Sequence, residues 1–216
     1  MILDQLPAGA RVLVVRLRSL GDCVLTTPAL RILKAARPDL RLGVVVEPRF
    51  DAVFRGNPDI DAVLAPSNGA VFHYKPALTI NFHGGTRSLV LTSLSRARWR
   101  AGFAHYRHAW ISHNVRIPLA QEILGVNRKV HTAEHLASAM FYLGAPRQEI
   151  PRARLFTGSP PVNGEYAVIH ALASAPDKTW PARRFLEVAQ YIQRTASLEQ
   201  TQSRFLSKEC GPSCAT

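Results

Sequence analysis

The sequence has little cysteine, no long apolar run and, over one long stretch, no acid at all. Three cysteines in 216 residues, Cys23 by itself and Cys210 with Cys214 near the end, are too few and badly spaced for a disulfide framework or a four-ligand zinc site. No apolar run approaches the ~20 residues that cross a bilayer, and the first residues lack a signal peptide's order of charge, apolar core and cleavage site. These absences place the protein in the cytoplasm. Between Asp61 and Glu122 no aspartate or glutamate occurs, while Lys75, Arg87, Arg96, Arg98, Arg100, Arg107, Arg116 and five of the eight histidines do. Twenty-seven Lys and Arg against 15 Asp and Glu give a net charge of +12, concentrated where the acids are missing. Such a field attracts anions: nucleic acid, an anionic membrane surface or an acidic sugar.

What is present reads as α/β. Arg11 to Leu17 is a β-branched run ending in a polar turn, and Cys23 to Ala36 carries apolar residues at helical spacing. Arg41 to Val46, Asp61 to Leu64 and Ala77 to Phe82 repeat the strand signal as near-continuous apolar runs, the pattern of parallel strands buried on both faces. The stretch Pro66 to Gly69 reads as a loop. Thr86 to Arg96 has helical period, with Thr86 or Ser88 as cap. Trp99 to Phe103 and Ile111 to Ile117 are short strand candidates, and Thr132 to Leu143 is an amphipathic helix closed by Gly144. The expected organisation is a Rossmann-like domain over 1–144, a Pro- and Gly-rich linker over 145–164, and the first strand (Tyr166 to His170) and helix (from Pro181) of a second such domain over 165–194. An irregular tail covers 195–216.

Three loops carry candidate chemistry. Arg18-Ser19-Leu20-Gly21-Asp22 joins a first strand to its helix, where doubly wound folds place ligands; with one glycine it is neither a dinucleotide fingerprint nor a P-loop. Asp22 is either a charge that suits the helix dipole or a general base for a hydroxyl. His83-Gly84-Gly85-Thr86-Arg87-Ser88 is either an anion cradle with Arg87 as bidentate donor or a capped tight turn. In 170–181, Ser174 and Lys178 precede a helix start, bringing a hydroxyl, an ammonium and free N–H groups together as a diphosphate requires. His131 and His135 have the spacing of zinc ligands, but without a third ligand they read as surface or packing residues, and no metal is called for. Cys23 reads as a small buried helix residue.

Taken together, VLVVRLRSLGDCVLTTPALRILKAARPD (12–39), INFHGGTRS (80–88) and VIHALASAPDKTWPARRF (168–185) resemble glycosyltransferase family 9, the lipopolysaccharide heptosyltransferases. The resemblance implies a GT-B fold, with acceptor on the N-terminal Rossmann-like domain and nucleotide sugar on the C-terminal one. It implies Asp22 as catalytic base, Ser174 and Lys178 on the donor diphosphate, and inverting transfer of heptose from ADP-heptose, a substrate and not a cofactor. The acceptor it implies is the anionic lipopolysaccharide inner core, for which Arg18, Arg87, Arg98, Arg100 and Arg107 are the binding candidates, with peripheral contact at the inner membrane. The family's Asp-(Ser/Thr)-Gly segment and following histidine are absent, and His170 is followed by Ala171, Leu172 and Ala173. The reading is therefore of a truncated or frame-shifted member, inactive alone. The alternative is a non-catalytic basic module for anionic glycolipid or membrane. Nucleic acid is not expected, since no helix-turn-helix, zinc finger or RNP motif accompanies the charge.

Overall fold

A computed structural model describes residues 1–106, 108–156, 158, 166–171, 173 and 175–195. The chain divides into two compact units, Met1–Thr157 and Gly158–Thr216. In the first, β1 (Arg11–Val15), β2 (Arg41–Val45), β3 (Ala62–Leu64), β4 (Leu78–Asn81), β5 (Trp99–Phe103) and β6 (Val115–Ile117) form one parallel sheet in the order β3-β2-β1-β4-β5-β6. This is the doubly wound order, which reverses direction between β1 and β4. Alternate residues of β1 feed two cores: Val12 and Val14 join Leu42, Val44, Leu78 and Ile80 on one face, and Leu13 and Val15 join Val45, Val71 and Leu91 on the other.

The first face is covered by α1 (Leu20–Ala36) and α6 (Thr132–Leu143), which pack on each other. Pro28 interrupts α1 without ending it. A proline has no N–H for the carbonyl four residues back, and the Thr27 hydroxyl donates to that carbonyl, Val24 O, at 2.8 Å. At the start of α6, His131 Nδ1 accepts from Ala133 N at 3.2 Å while Glu134 accepts from His131 N at 2.7 Å, a reciprocal cap. Arg128 also grips Glu134, holding its carboxyl well down, to about 2.

The second face carries α2 (Asn68–Tyr74), α3 (Thr86–Leu94) and the short α4 (Ala109–Ser112), with α5 (Ala120–Leu124) following β6. Several boundaries differ from the sequence reading. The loop expected from Pro66 becomes helix at Asn68, because the Ser67 hydroxyl accepts from Ala70 N and caps it; α2 stops at Lys75, whose φ is 49°, before Pro76. The cap of α3 is Gly85, not Thr86 or Ser88; Ser88 Oγ donates back to Gly85 O at 2.6 Å. Ile111 to Ile117 is not one strand: Asn114 accepts from Arg100 N at 2.7 Å and donates to Arg98 O at 2.8 Å. That side chain replaces backbone pairing at the start of β6, so the ladder begins at Val115 and the preceding residues coil into α4.

His113 lies flat on Gly102, where an added Cβ would sit 2.2 Å from the ring. It is buried and neither ring nitrogen finds a partner among the described residues. Burial, then the nearby Arg100 charge, pulls its pKa down to about 4. The folded value lies below the unfolded one, so its stabilising contribution is present above about pH 6.5 and is lost as pH falls toward 4. Urea titrations at about pH 7 and 5 are expected to differ by about 2 kcal/mol from this group. His113→Phe, which keeps a flat ring on Gly102, is expected to reduce the difference by that amount.

In the second unit, the described residues form a short 3-10 turn at Pro176–Lys178 and the helix α7 (Ala182–Thr195). The strand expected at Tyr166 to His170 is absent. A strand needs a neighbour for its N–H and C=O groups, none is present among the described residues, and Val168 is left 79% exposed.

Candidate functional site

The crevice outside the carboxyl ends of β1 and β4, where the strand order reverses, is the place this architecture gives a ligand. Two loops meet there: β1 to α1, and β4 to α3. Asp22 sits in the first turn of α1, behind the N-cap Ser19. Its Oδ2 accepts from Ser19 Oγ at 3.3 Å and lies 3.8 Å from Arg16 Nη1. No described residue donates to Oδ1, and the side chain is 43% exposed. One oxygen is thus held by its neighbours while the side chain keeps access to solvent, as a base that meets a hydroxyl requires.

Arg16 is the unusual member. Its side chain is only 8% exposed, and its Nε has no hydrogen-bond partner among the described residues. Burial lowers its pKa, opposed by Tyr106, Asp22 and Cys23, yet a guanidinium stays charged. Tyr106, after β5, faces Arg16 and Asp22; burial pushes its hydroxyl up to about 12, keeping it a neutral donor. Its ring packs where a Cβ on Gly84 would fall, at 2.8 Å, and Gly84 has φ +75°, so the glycine is needed twice over. The pKa of His83 is pulled down by burial, and then by the charges of Arg16 and Arg18, with the Arg18 backbone acting in the opposite direction. Cys23 is buried with its thiol raised to about 11, first by burial, which leaves it unreactive.

Asn81, the last residue of β4, shapes the second loop. Its Oδ1 accepts from His83 N at 2.9 Å and Gly84 N at 3.2 Å, and its Nδ2 donates to Ser88 Oγ at 3.1 Å. Asn81 and Tyr106 escaped the sequence reading. The one asparagine closing the buried strand Leu78–Asn81 was the available signal; nothing local marked Tyr106.

Arg18 flanks His83 in the crevice, and Arg87, in the first turn of α3, donates to Pro66 O at 2.9 Å. Arg98 and Arg100 stand at the amino end of β5, the opposite edge of the sheet from Asp22, and Arg100 is tied to Ser112 O and Ala97 O. Arg107 and Ser174 lie outside the described residues. Lys178 is exposed at the end of the turn before α7, in the second unit, where its N–H donates to Ala175 O at 3.1 Å. His131 is occupied as a cap, and the His135 ring stacks on Phe103 with centroids 3.8 Å apart. Among the described residues no three His, Cys, Asp or Glu gather for a metal. A groove of about 420 Å³ beside Met1, Ile123 and Phe141 lies away from these groups and lacks their convergence.

No protein-family model matches the sequence, and no curated protein matches it significantly. Solved structures do match in fold. A glycosyl transferase family 9 protein from Veillonella parvula DSM 2008 aligns with TM-score 0.70 at 20% identity, covering 88% of this chain and 62% of that one. The chain has a family 9 glycosyltransferase fold. The E. coli heptosyltransferase WaaC with ADP aligns at 0.67 and 22% identity over 84% of this chain and 63% of its own. The same enzyme with ADP-2-deoxy-2-fluoro heptose gives 0.65 and 21%, over 84% and 65%. The α/β, GT-B-type architecture expected from the sequence is thus found, and the chain spans under two thirds of the length of these structures.

Proposed function

We propose that the chain is a glycosyltransferase of the heptosyltransferase lineage, and that its first unit supplies the acceptor site and the catalytic base. The observation that carries this is Asp22 at the switch-point crevice, one carboxylate oxygen held by Ser19 and near Arg16 in a side chain that is 43% exposed. In the proposed reaction the acceptor O–H gives its proton to Asp22 as the oxygen bonds to the anomeric carbon of a nucleotide-activated heptose. The bond from that carbon to the diphosphate breaks on the opposite face, so configuration inverts, and the nucleoside diphosphate leaves with the electron pair. Lys178 and Ser174 are proposed to neutralise the departing diphosphate. The E. coli neighbours bound to ADP and an ADP-heptose analogue support a donor of this class.

The acceptor is proposed to be an anionic inner-core glycolipid, met by Arg18 and Arg87 beside the crevice; Arg98, Arg100 and Arg107 are candidates for its more distant anionic groups. The 216-residue chain by itself is proposed to bind acceptor without turning over, since the described residues of its second unit contain no strand on which a donor site would be built. Calorimetric titration with a deep-rough lipopolysaccharide fragment is expected to give saturable binding that Arg18→Glu with Arg87→Glu weakens by ~100-fold or more. Binding that survives the double reversal, or no binding by the parent chain, would sink the acceptor assignment. Heptose transfer by the unmodified chain would refute its inactivity.

A further inference from the structure

Three neighbouring strands of the sheet, β1, β4 and β5, each send a residue past their carboxyl ends toward the same crevice: Arg16 after β1, Gly84 after β4 and Tyr106 after β5. Tyr106 N donates to Phe103 O at 3.1 Å. That turn folds the residue back over the strand end, where its ring meets Phe103 edge-on at 5.6 Å and His105 at 4.9 Å. On another side the ring takes the space a side chain on Gly84 would need, its Cδ1 2.8 Å from the place of that Cβ. The amides of His83 and Gly84 are both spent on Asn81 Oδ1. Neither is free for a ligand, and what stands over the loop is a phenol.

That phenol lies in the field of Arg16 and Asp22, and burial holds its proton in place up to about 12. A guanidinium carries donors only, whereas a hydroxyl has one donor and two lone pairs. A lone pair therefore suits the Arg16 side, and the O–H is left to point elsewhere. No acceptor for it is found among the described residues. A protonated hydroxyl on a ring packed from two sides, set beside a candidate base, has the form of a donor to a ligand oxygen. The attacking hydroxyl is a poor target, because a hydrogen bond to its lone pair would be weakened as that pair forms the new bond. The next oxygen on the same sugar carries no such cost. We propose that Tyr106 determines acceptor specificity, donating its O–H to the sugar oxygen adjacent to the hydroxyl that meets Asp22 and so fixing which hydroxyl reaches the base. Tyr106 can act this way only if the first unit holds the acceptor, as proposed above.

The test is calorimetric titration of the whole 216-residue chain with the deep-rough lipopolysaccharide fragment and with monodeoxy analogues of its acceptor sugar. Tyr106→Phe keeps the ring over Gly84 and removes only the hydroxyl. It is expected to weaken binding of the fragment by about 10-fold with thermal unfolding unchanged. One monodeoxy analogue is expected to bind the parent chain about 10-fold more weakly than the fragment does, and to bind Tyr106→Phe no more weakly than the fragment does, since that variant has no donor left to lose. Gly84→Ala, which displaces the ring, is expected to weaken binding of the fragment at least as much, and adding Tyr106→Phe to it is expected to cost nothing further. Equal binding of the fragment by the parent chain and Tyr106→Phe overturns the specificity role and leaves the acceptor reading standing. So does a loss in Tyr106→Phe that no deoxy analogue reproduces in the parent chain, which makes the hydroxyl a structural group. A parent chain that does not bind the fragment at all sinks the acceptor reading, and the role of Tyr106 with it.

Discussion

Asp22→Asn is expected to lower sugar transfer by ~10²–10⁴-fold, the range for loss of a general base, while leaving folding and acceptor binding unchanged. Because the parent chain is proposed not to turn over, the assay needs a hybrid in which the nucleotide-binding half of the E. coli enzyme follows the first unit. Asparagine keeps the shape of the side chain and can still accept from Ser19 Oγ, now 3.3 Å from Oδ2. What it loses is the charge opposite Arg16 and the capacity to take a proton. A fall in affinity for acceptor with unchanged kcat would instead make Asp22 a binding residue, and no change in either would leave it as a helix-terminus charge. Arg16→Lys is expected to retain more activity than Arg16→Met, since it preserves a buried cation beside the carboxylate.

Phe103→Ala is expected to destabilise the first unit by about 3–5 kcal/mol, at the upper end for a large-to-small core change. Phe103 is fully buried at the end of β5. It stacks on Phe82 at 6.0 Å, meets Tyr106 edge-on at 5.6 Å and lies against His135 of α6 at 3.8 Å. One ring therefore joins the sheet, the covering helix and the loop that brings Tyr106 to Arg16. Urea unfolding followed by circular dichroism checks the magnitude; a loss under about 1 kcal/mol, the scale of a surface change, would mean that the cluster collapses around the gap. The same variant should release Tyr106, so its effect on transfer in the hybrid is expected to exceed that of an equally destabilising change distant from the crevice.

The parts of the fold that were legible were those in which local pattern and tertiary burial agree. β1 and β2 announce themselves because parallel strands buried on both faces must be apolar throughout, and α6 because its apolar stripe, reciprocal cap and closing Gly144 coincide. The placement of Asp22 and of the His83–Arg87 loop at strand-to-helix turns was legible because each follows an apolar strand run and precedes a helical period. Side chains acting over distance were not. Asn114 ends a strand pattern by bonding to Arg98 and Arg100, a pairing invisible along the chain, and Tyr106 gains its meaning only from β5 lying next to β4. The apolar run Tyr166 to His170 shows the converse. Strand propensity does not make a strand where the described residues offer no edge to pair with, and its exposed side chains are the result.

The place of β1 in the sheet sets an order of events during synthesis. Of the six strands of this sheet the earliest in the chain is a central one, paired to β2 on one side and to β4 on the other, with Val12 beside Leu78. Until β4 has been made, one whole edge of β1 has open N–H and C=O groups, and loop-closure entropy sets the cost of joining the two. The nascent chain therefore carries an adhesive strand edge until β4 is translated and paired, and that interval is where misassembly and chaperone capture should concentrate.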